Sequence, residues 1–168
     1  MNQDRLADEI GAWDGKTAGF VNGVYAQFQV EPQFGGWLVT LLEKRPLQKG
    51  ASWLLKKHLE QGNPLDEPLL SQLFTLLPRL AHWETKLHLL QSLDHLIIPA
   101  SSVRQVEQFV HDCLTSKKKF VRAWAYSGFY RLAQQHPTYE AEVMTLLDRA
   151  MSDEAPSVRA RVRQLWKR

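Results

Sequence analysis

The chain has 168 residues, of which 44% are hydrophobic and 23% charged, and its formal net charge is +3. These values are typical of one globular domain or one short repeat array, and they argue against global disorder. The single cysteine, Cys113, excludes an intramolecular disulfide and favours a cytoplasmic location, while no apolar run approaches the roughly 18 residues that cross a bilayer.

The first predicted element is an N-terminal lead-in and capping helix over residues 1–34. Glycines recur there every four residues, from Gly11 to Gly23. Polar residues lie between them, so this spacing does not indicate a close-packed membrane helix. We predict an irregular lead-in followed by a helix over residues 16–30, whose apolar side covers the first exposed face of the structure that follows.

From residue 35 onward, apolar positions recur with a period of about 37 residues in two interleaved series. Within each copy they fall at i, i+4 and i+7, which is the buried stripe of an amphipathic helix. One series begins at Leu69 and Leu73. The other consists of Leu47, Trp83, Val121 and Val158, then Ala51, Leu87, Ala125 and Val162, then Leu54, Leu90, Gly128 and Leu165. Sustained alternation typical of strands is absent, so we predict an all-α fold.

Prolines at or near the ends of these stripes mark helix boundaries, because a proline at a helix start loses no hydrogen bond. After the capping helix, the predicted helices span residues 35–45, 47–61, 66–80, 83–97, 102–115, 119–135, 139–152 and 156–167.

Two segments carry a family resemblance. "KKKFVRAWAYSGFYRL" and "DEAPSVRARVRQL" each open a predicted helix with Val-Arg after a basic turn or a proline. With the period of about 37 residues, they resemble HEAT repeats, an armadillo-like α-solenoid family. The resemblance covers residues 35–168 and implies a right-handed α-α superhelix of about four stacked helix pairs, in which neighbouring pairs bury one another's apolar faces. The approximate units are residues 35–62, 66–98, 102–136 and 139–168.

Basic charge is concentrated in residues 117–131 and 156–168. These segments carry ten of the 21 lysines and arginines and no acidic residue. At 100° per residue, a set of basic and aromatic side chains lies away from the buried stripes, on the presumed concave surface. The predicted partner-binding residues are Arg122, Tyr126, Tyr130, Arg159, Arg163 and Lys167, with His88 on the preceding unit.

A solvated helix face is the ordinary alternative for such charges, and the acidic stretch over residues 140–154 could neutralise them. Arginine together with tyrosine nevertheless favours binding, because both offer planar donors and a large contact area. Trp53, Trp83 and Trp124 are predicted to pack against the core, and Gly128 to let a neighbouring helix approach closely.

No phosphate loop, nucleophile elbow or metal-protease motif is present in the sequence. His111, Asp112 and Cys113 are ligand types, but as helix neighbours they point in different directions. We therefore predict no catalytic residue, no cofactor and no metal site. The leading hypothesis is a non-catalytic scaffold that binds an acidic segment of a protein partner.

Two alternatives remain open for the same basic surface. The first is binding of nucleic acid through its phosphate backbone. The second is an enzyme similar to the HEAT-like DNA glycosylases, for which Asp94 is the nearest candidate carboxylate. The identity of the partner and the oligomeric state stay open.

Overall fold

A computed structural model describes residues 2–167, in which ten α-helices and no β-strand are found. The helices are α1 (Asn2–Ala12), α2 (Ala18–Phe28), α3 (Phe34–Leu41), α4 (Gln48–Glu60), α5 (Glu67–Leu76), α6 (Trp83–Ser92), α7 (Val103–Leu114), α8 (Lys119–Gln135), α9 (Glu140–Asp153) and α10 (Pro156–Trp166). The all-α prediction is confirmed. None of the described helices combines the length and the apolar content needed to cross a bilayer.

Helices that are next but one in the chain pack against each other. The even-numbered helices from α4 to α10 contact one another in turn, and α3 contacts α5, which contacts α7. Consecutive helices also pack as pairs, as in α3 with α4, α7 with α8, and α9 with α10. Because each helix has an apolar stripe that neighbours on several sides cover, one continuous core runs through the chain.

The N-terminal segment differs from the prediction. Asn2–Ala12 is helical, whereas an irregular lead-in was expected. The buried side chains of α1 are Leu6 and Ile10, so its apolar stripe is too short to be recognised from the sequence. Helices α1 and α2 both contact α4. A Cβ atom on Gly50 would lie 2.6 Å from Ile10 Cγ2, so the glycine allows α1 to approach α4 closely.

Helices α5 and α6 end earlier than predicted, at Leu76 and Ser92 rather than at 80 and 97. After α5, Pro78 cannot continue the α-helix, and Leu77–Arg79 form a 3-10 turn. Beyond α6, Leu93–His95 form a 3-10 turn, and the extended backbone that follows is held by the amide of Gln135, which donates to Leu96 O at 2.9 Å and accepts from Ile98 N at 2.7 Å.

The buried stripe of α6 also differs from the prediction. Trp83 is 37% exposed, and Leu87 is only partly buried, whereas Leu89 and Leu90, with Leu93 in the turn that follows, are buried. The helix is therefore rotated about its axis relative to the register that the repeat period gives. Trp53 and Trp124 pack against the core, as predicted.

Helix α8 lies at the centre of the C-terminal half, where it contacts α6, α7, α9 and α10. Gly128 permits this packing. A Cβ atom there would lie 3.0 Å from Leu93 Cδ1 and 3.4 Å from both Leu90 Cδ2 and Val110 Cγ2. The predicted close approach at Gly128 is confirmed, and it fixes the position of the helix from which several candidate site residues project.

Candidate partner-binding site

Two side chains near the starts of α4 and α8 make the same kind of connection between turns. Gln48 Nε2 donates to Leu42 O, six residues earlier, at 3.0 Å, and to Arg79 O in the next turn at 3.1 Å. Arg122, two repeat periods after Gln48, donates from Nη1 to Ser116 O, again six residues earlier, at 2.9 Å. Gln48 therefore connects the turn before α4 to the turn before α6, and Arg122 connects the turn before α8 to the turn before α10.

For Arg122 the second connection is an ion pair with Glu154, in the link between α9 and α10. Arg122 Nε and Nη2 lie 3.1–3.2 Å from the carboxylate oxygens, and the two side chains are 20% and 12% exposed. A two-pronged arginine–carboxylate contact is among the stronger hydrogen-bonded arrangements in proteins. The expectation that the acidic stretch neutralises nearby basic charge is thus confirmed for Arg122.

Tyr126 belongs to the same cluster. Its hydroxyl donates to Glu154 Oε1 at 3.2 Å, and its side chain is buried. Burial, with a smaller contribution from the Glu154 charge, raises the pKa of Tyr126 to about 12, so the hydroxyl stays protonated as a donor. The predicted outward position of Tyr126 is wrong, because the link carrying Glu154 covers it.

The basic residues of α10 are placed differently. Arg163 and Lys167 are exposed and Arg159 is partly buried. Within residues 2–167, none of the three makes an ion pair or a side-chain hydrogen bond. The spacing of i, i+4, i+7 and i+8 places Arg159, Arg163, Trp166 and Lys167 on one side of the helix. Trp166 is 45% exposed.

An open cavity of about 410 Å³ adjoins this side of α10, where the ends of α8 and α10 meet the start of α9. Its lining is mostly apolar and includes Tyr130, one of the predicted site residues, and Trp166. The full set is Tyr130, Ala133, Gln134, Pro137, Glu140, Val143, Met144, Leu165 and Trp166. We call the cavity together with Arg159, Arg163, Trp166 and Lys167 the C-terminal face.

His88 does not belong to the C-terminal face. It lies on α6, which contacts α4 and α8, and its Nδ1 is 2.8 Å from Ser52 Oγ. Burial, followed by the positive charges of Lys56 and Lys49, lowers the pKa of His88 to about 4, against a smaller opposing effect of Glu84. At neutral pH the imidazole is therefore an uncharged link between α4 and α6.

We expect His88 to titrate near pH 4 in the folded protein. Because the unfolded chain binds this proton near pH 6.5, the stability should fall as the pH is lowered from about 6.5 to about 4, by about 1.4 kcal/mol per pH unit. Urea unfolding across this range, compared between the parent chain and His88→Gln, measures the effect, since the variant should lack that part of the slope. An NMR titration of the His88 ring with a midpoint near 6.5 would contradict the prediction.

Contacts between cations and tryptophans were not predicted. Arg161 Cζ lies 3.7 Å from the ring centroid of Trp124, and Lys118 Nζ lies 5.0 Å from that of Trp83. Arg161 Nε also donates to Ser127 Oγ at 2.7 Å. The sequence carries a faint signal for the first pair, because Arg161 follows Trp124 by one repeat period.

One cluster contains groups that could hold a metal ion. Donor atoms of Glu107, His111 and Glu142 lie within 4.8 Å of one another, a ligand set that a divalent cation such as zinc accepts. Without an ion the groups already pair, since His111 Nε2 is 3.1 Å from Glu142 Oε1 and Tyr139 donates to Glu107 at 2.6 Å. Cys113 is separate from this cluster and buried, and burial raises the pKa of its thiol to about 12.

No protein-family model matches the chain. No curated protein and no solved structure matches it significantly either.

Proposed function

We propose that this chain is a non-catalytic HEAT-like repeat module that binds an acidic segment of a protein partner at its C-terminal face. In this proposal the helices form a right-handed superhelix of about four pairs. The contacts between alternate helices and the matching roles of Gln48 and Arg122 at one repeat position support it. Such stacks offer long continuous surfaces for partners.

One observation carries the functional proposal: the cations of the C-terminal face have no acidic partner among the described residues, and they lie beside an apolar cavity. Unneutralised charges of one sign attract and orient a partner of the opposite sign. A cavity edged by Tyr130, Met144 and Trp166 offers sites for apolar anchors of the type that dominate binding energy in protein interfaces.

The apolar cavity favours a protein partner over duplex nucleic acid, because the phosphate backbone on the outside of a duplex has no apolar group to place in it. Arg122 and Tyr126, which we first predicted as direct contacts, act in this proposal by holding the α9–α10 link against α8. They keep the C-terminal face in position rather than meeting the partner.

Nucleic-acid binding is the alternative, and a second surface favours it. Lys117, Lys118 and Lys119 are exposed before Phe120, which is 65% exposed, and Lys118 stacks on Trp83. Cations beside exposed aromatic rings are the usual means of holding single-stranded nucleic acid.

We expect the double variant Arg163→Glu/Lys167→Glu to weaken binding of a synthetic Glu/Leu peptide at least about tenfold, or about 1.4 kcal/mol, without lowering the melting temperature. Fluorescence anisotropy with the labelled peptide measures the affinity. The matched control is Lys44→Glu/Arg45→Glu, which makes the same charge change at exposed residues before α4 and should leave the affinity nearly unchanged.

Salt dependence separates the two functions. Binding of single-stranded DNA should weaken with a log–log slope of about −0.7 per phosphate contacted, whereas binding through apolar anchors should depend much less on salt. If the peptide binds equally to both double variants, or if only DNA binds, with a steep slope, the proposed function is wrong.

A further inference from the structure

Arg159 occupies the position in α10 that Arg122 occupies in α8. It lies 37 residues later and follows Val158 as Arg122 follows Val121, and both valines are completely buried. Since each arginine follows a buried valine, the two residues occupy equivalent positions on the surfaces of their helices. The surroundings of Arg122 therefore indicate what the site of Arg159 is built to accept.

The two sites differ in their occupancy. Arg122 is satisfied by Glu154, a carboxylate in the turn that leads into the next packed helix. Arg159 has no hydrogen-bond or ion-pair partner among residues 2–167; its Nε is enclosed by the chain itself, but the residue as a whole is partly exposed. A partner would therefore meet the outer nitrogens of the guanidinium group, which are the atoms that lack the acceptors Arg122 has.

The helix face around Arg159 is also the face that α8 uses for packing. On α8, Tyr126 donates to Glu154 in the α9–α10 link and Phe129 packs on Tyr139 just before α9; both are buried, as is Ala123 on the same side of the helix. One repeat period later, Ala160, Arg163 and Trp166 are exposed. At the other end of the stack, α4 is contacted by α1 and α2 as well as by α6.

We infer that Arg159 binds a carboxylate of a protein partner, presented in the turn before a helix that packs along α10. The partner's carboxylate would pair with Arg159 as Glu154 pairs with Arg122, and the partner's helix would pack on α10 as α10 packs on α8. The inference rests on the proposed function and specifies the partner as a helical segment with an acidic residue just before its first turn. Ala160 favours a helix as the occupant, because its small side chain lets a backbone approach the surface closely.

A peptide patterned on the chain's own packed segment tests the inference. The probe has the sequence of residues 150–167 with its three arginines replaced by glutamine, so it keeps the acidic turn and the apolar stripe that α8 recognises. The control peptide differs only by Glu154→Gln. Each is titrated into the nitrogen-15-labelled full chain, and the Nε–H signal of Arg159 and the dissociation constant are measured.

The Glu154 peptide should bind about tenfold more tightly than the control and should shift the Arg159 Nε–H signal. Arg159→Gln should abolish the difference between the peptides, and Arg159→Lys should keep part of it, because lysine retains the charge without the two-pronged geometry. Arg163→Gln should weaken both peptides equally. An unchanged melting temperature for Arg159→Gln shows that the variant is folded.

The inference is overturned if the peptides bind equally, if neither binds, or if their difference survives Arg159→Gln. It is also overturned if duplex DNA shifts the Arg159 signal at lower concentration than the peptide does. Failure here is distinguishable from failure of the proposed function. If the Glu/Leu peptide binds through Arg163 and Lys167 with no role for Arg159, only the further inference is wrong.

Discussion

Replacing Glu154 by alanine should lower the free energy of unfolding by about 3 kcal/mol, because the substitution leaves a largely buried guanidinium without its counter-ion. Arg122 loses three hydrogen bonds to the carboxylate, and Tyr126 loses the acceptor of its buried hydroxyl. In a chain of this size we expect the melting temperature to fall by roughly 6–12 °C, at about 2–4 °C per kcal/mol. Denaturant unfolding gives the free-energy difference.

The ion pair between Lys56 and Glu60 provides the control. It is short, at 2.8 Å, but it joins neighbouring turns of one helix at the surface. Glu60→Ala should therefore cost no more than about 0.5 kcal/mol. A double-mutant cycle of Arg122→Ala with Glu154→Ala should yield a large coupling energy. If Glu154→Ala costs as little as Glu60→Ala, the cluster does not hold the link against α8.

Because Arg122 holds the α9–α10 link in place, the proposed function must be tested with variants at other residues. A charge reversal at Arg122 would place two carboxylates together at the α9–α10 link and would destabilise the surface it was meant to probe. Loss of binding in such a variant would say nothing about direct contact. Arg163 and Lys167 are better choices, because they are exposed and make no internal ion pair among the described residues.

The fold class could be predicted from the sequence because long helices with a regular apolar stripe have a strong signal. Helix α8 was predicted at residues 119–135 and is observed at Lys119–Gln135. Helix α1 was missed because two buried side chains do not establish a period. The register of α6 was wrong because the repeat fixes an average spacing, while local packing determines which side of each helix is buried.

The candidate site was only partly predictable, for a related reason. A helical projection gives the direction of a side chain relative to its own stripe, but it does not reveal which loop of the next unit lies over it. Glu154 reaches Arg122 from such a loop. Gln48 contacts a link 31 to 33 residues later in the chain, and Glu154 lies 32 residues after Arg122. The shared separation could have indicated Glu154 as the partner of Arg122 only after the contacts of Gln48 were known.

Replacing Gly128 by valine should be comparably destabilising, by about 3 kcal/mol, through overpacking between α8 and its neighbours. The new methyl groups would have to enter space already occupied by Leu90, Leu93 and Val110. Gly128→Ala should change the stability by less than about 1 kcal/mol, since its better helix propensity offsets a 3.0 Å contact with a flexible leucine methyl. Chemical denaturation of both variants measures the difference.

Gly23→Val is the matched control, because this helical glycine is exposed and a Cβ atom there would have no neighbour within 4 Å. Its stability should stay within about 0.5 kcal/mol of the parent, as valine and glycine differ little in helix propensity. A loss at Gly128→Val no larger than at Gly23→Val would contradict the steric origin.

Removing the obstructing side chain should reverse part of the damage at Gly128. Leu93→Ala alone should cost about 2–5 kcal/mol, because it leaves a cavity in the core. In the Gly128→Val background the valine methyls can enter that space, so the second substitution should cost much less, and the two effects should not add. Additive losses would mean that valine acts by distorting the helix itself. A strong rescue would place the cause at the contact between α8 and the turn that follows α6, the packing that fixes α8 beneath the C-terminal face.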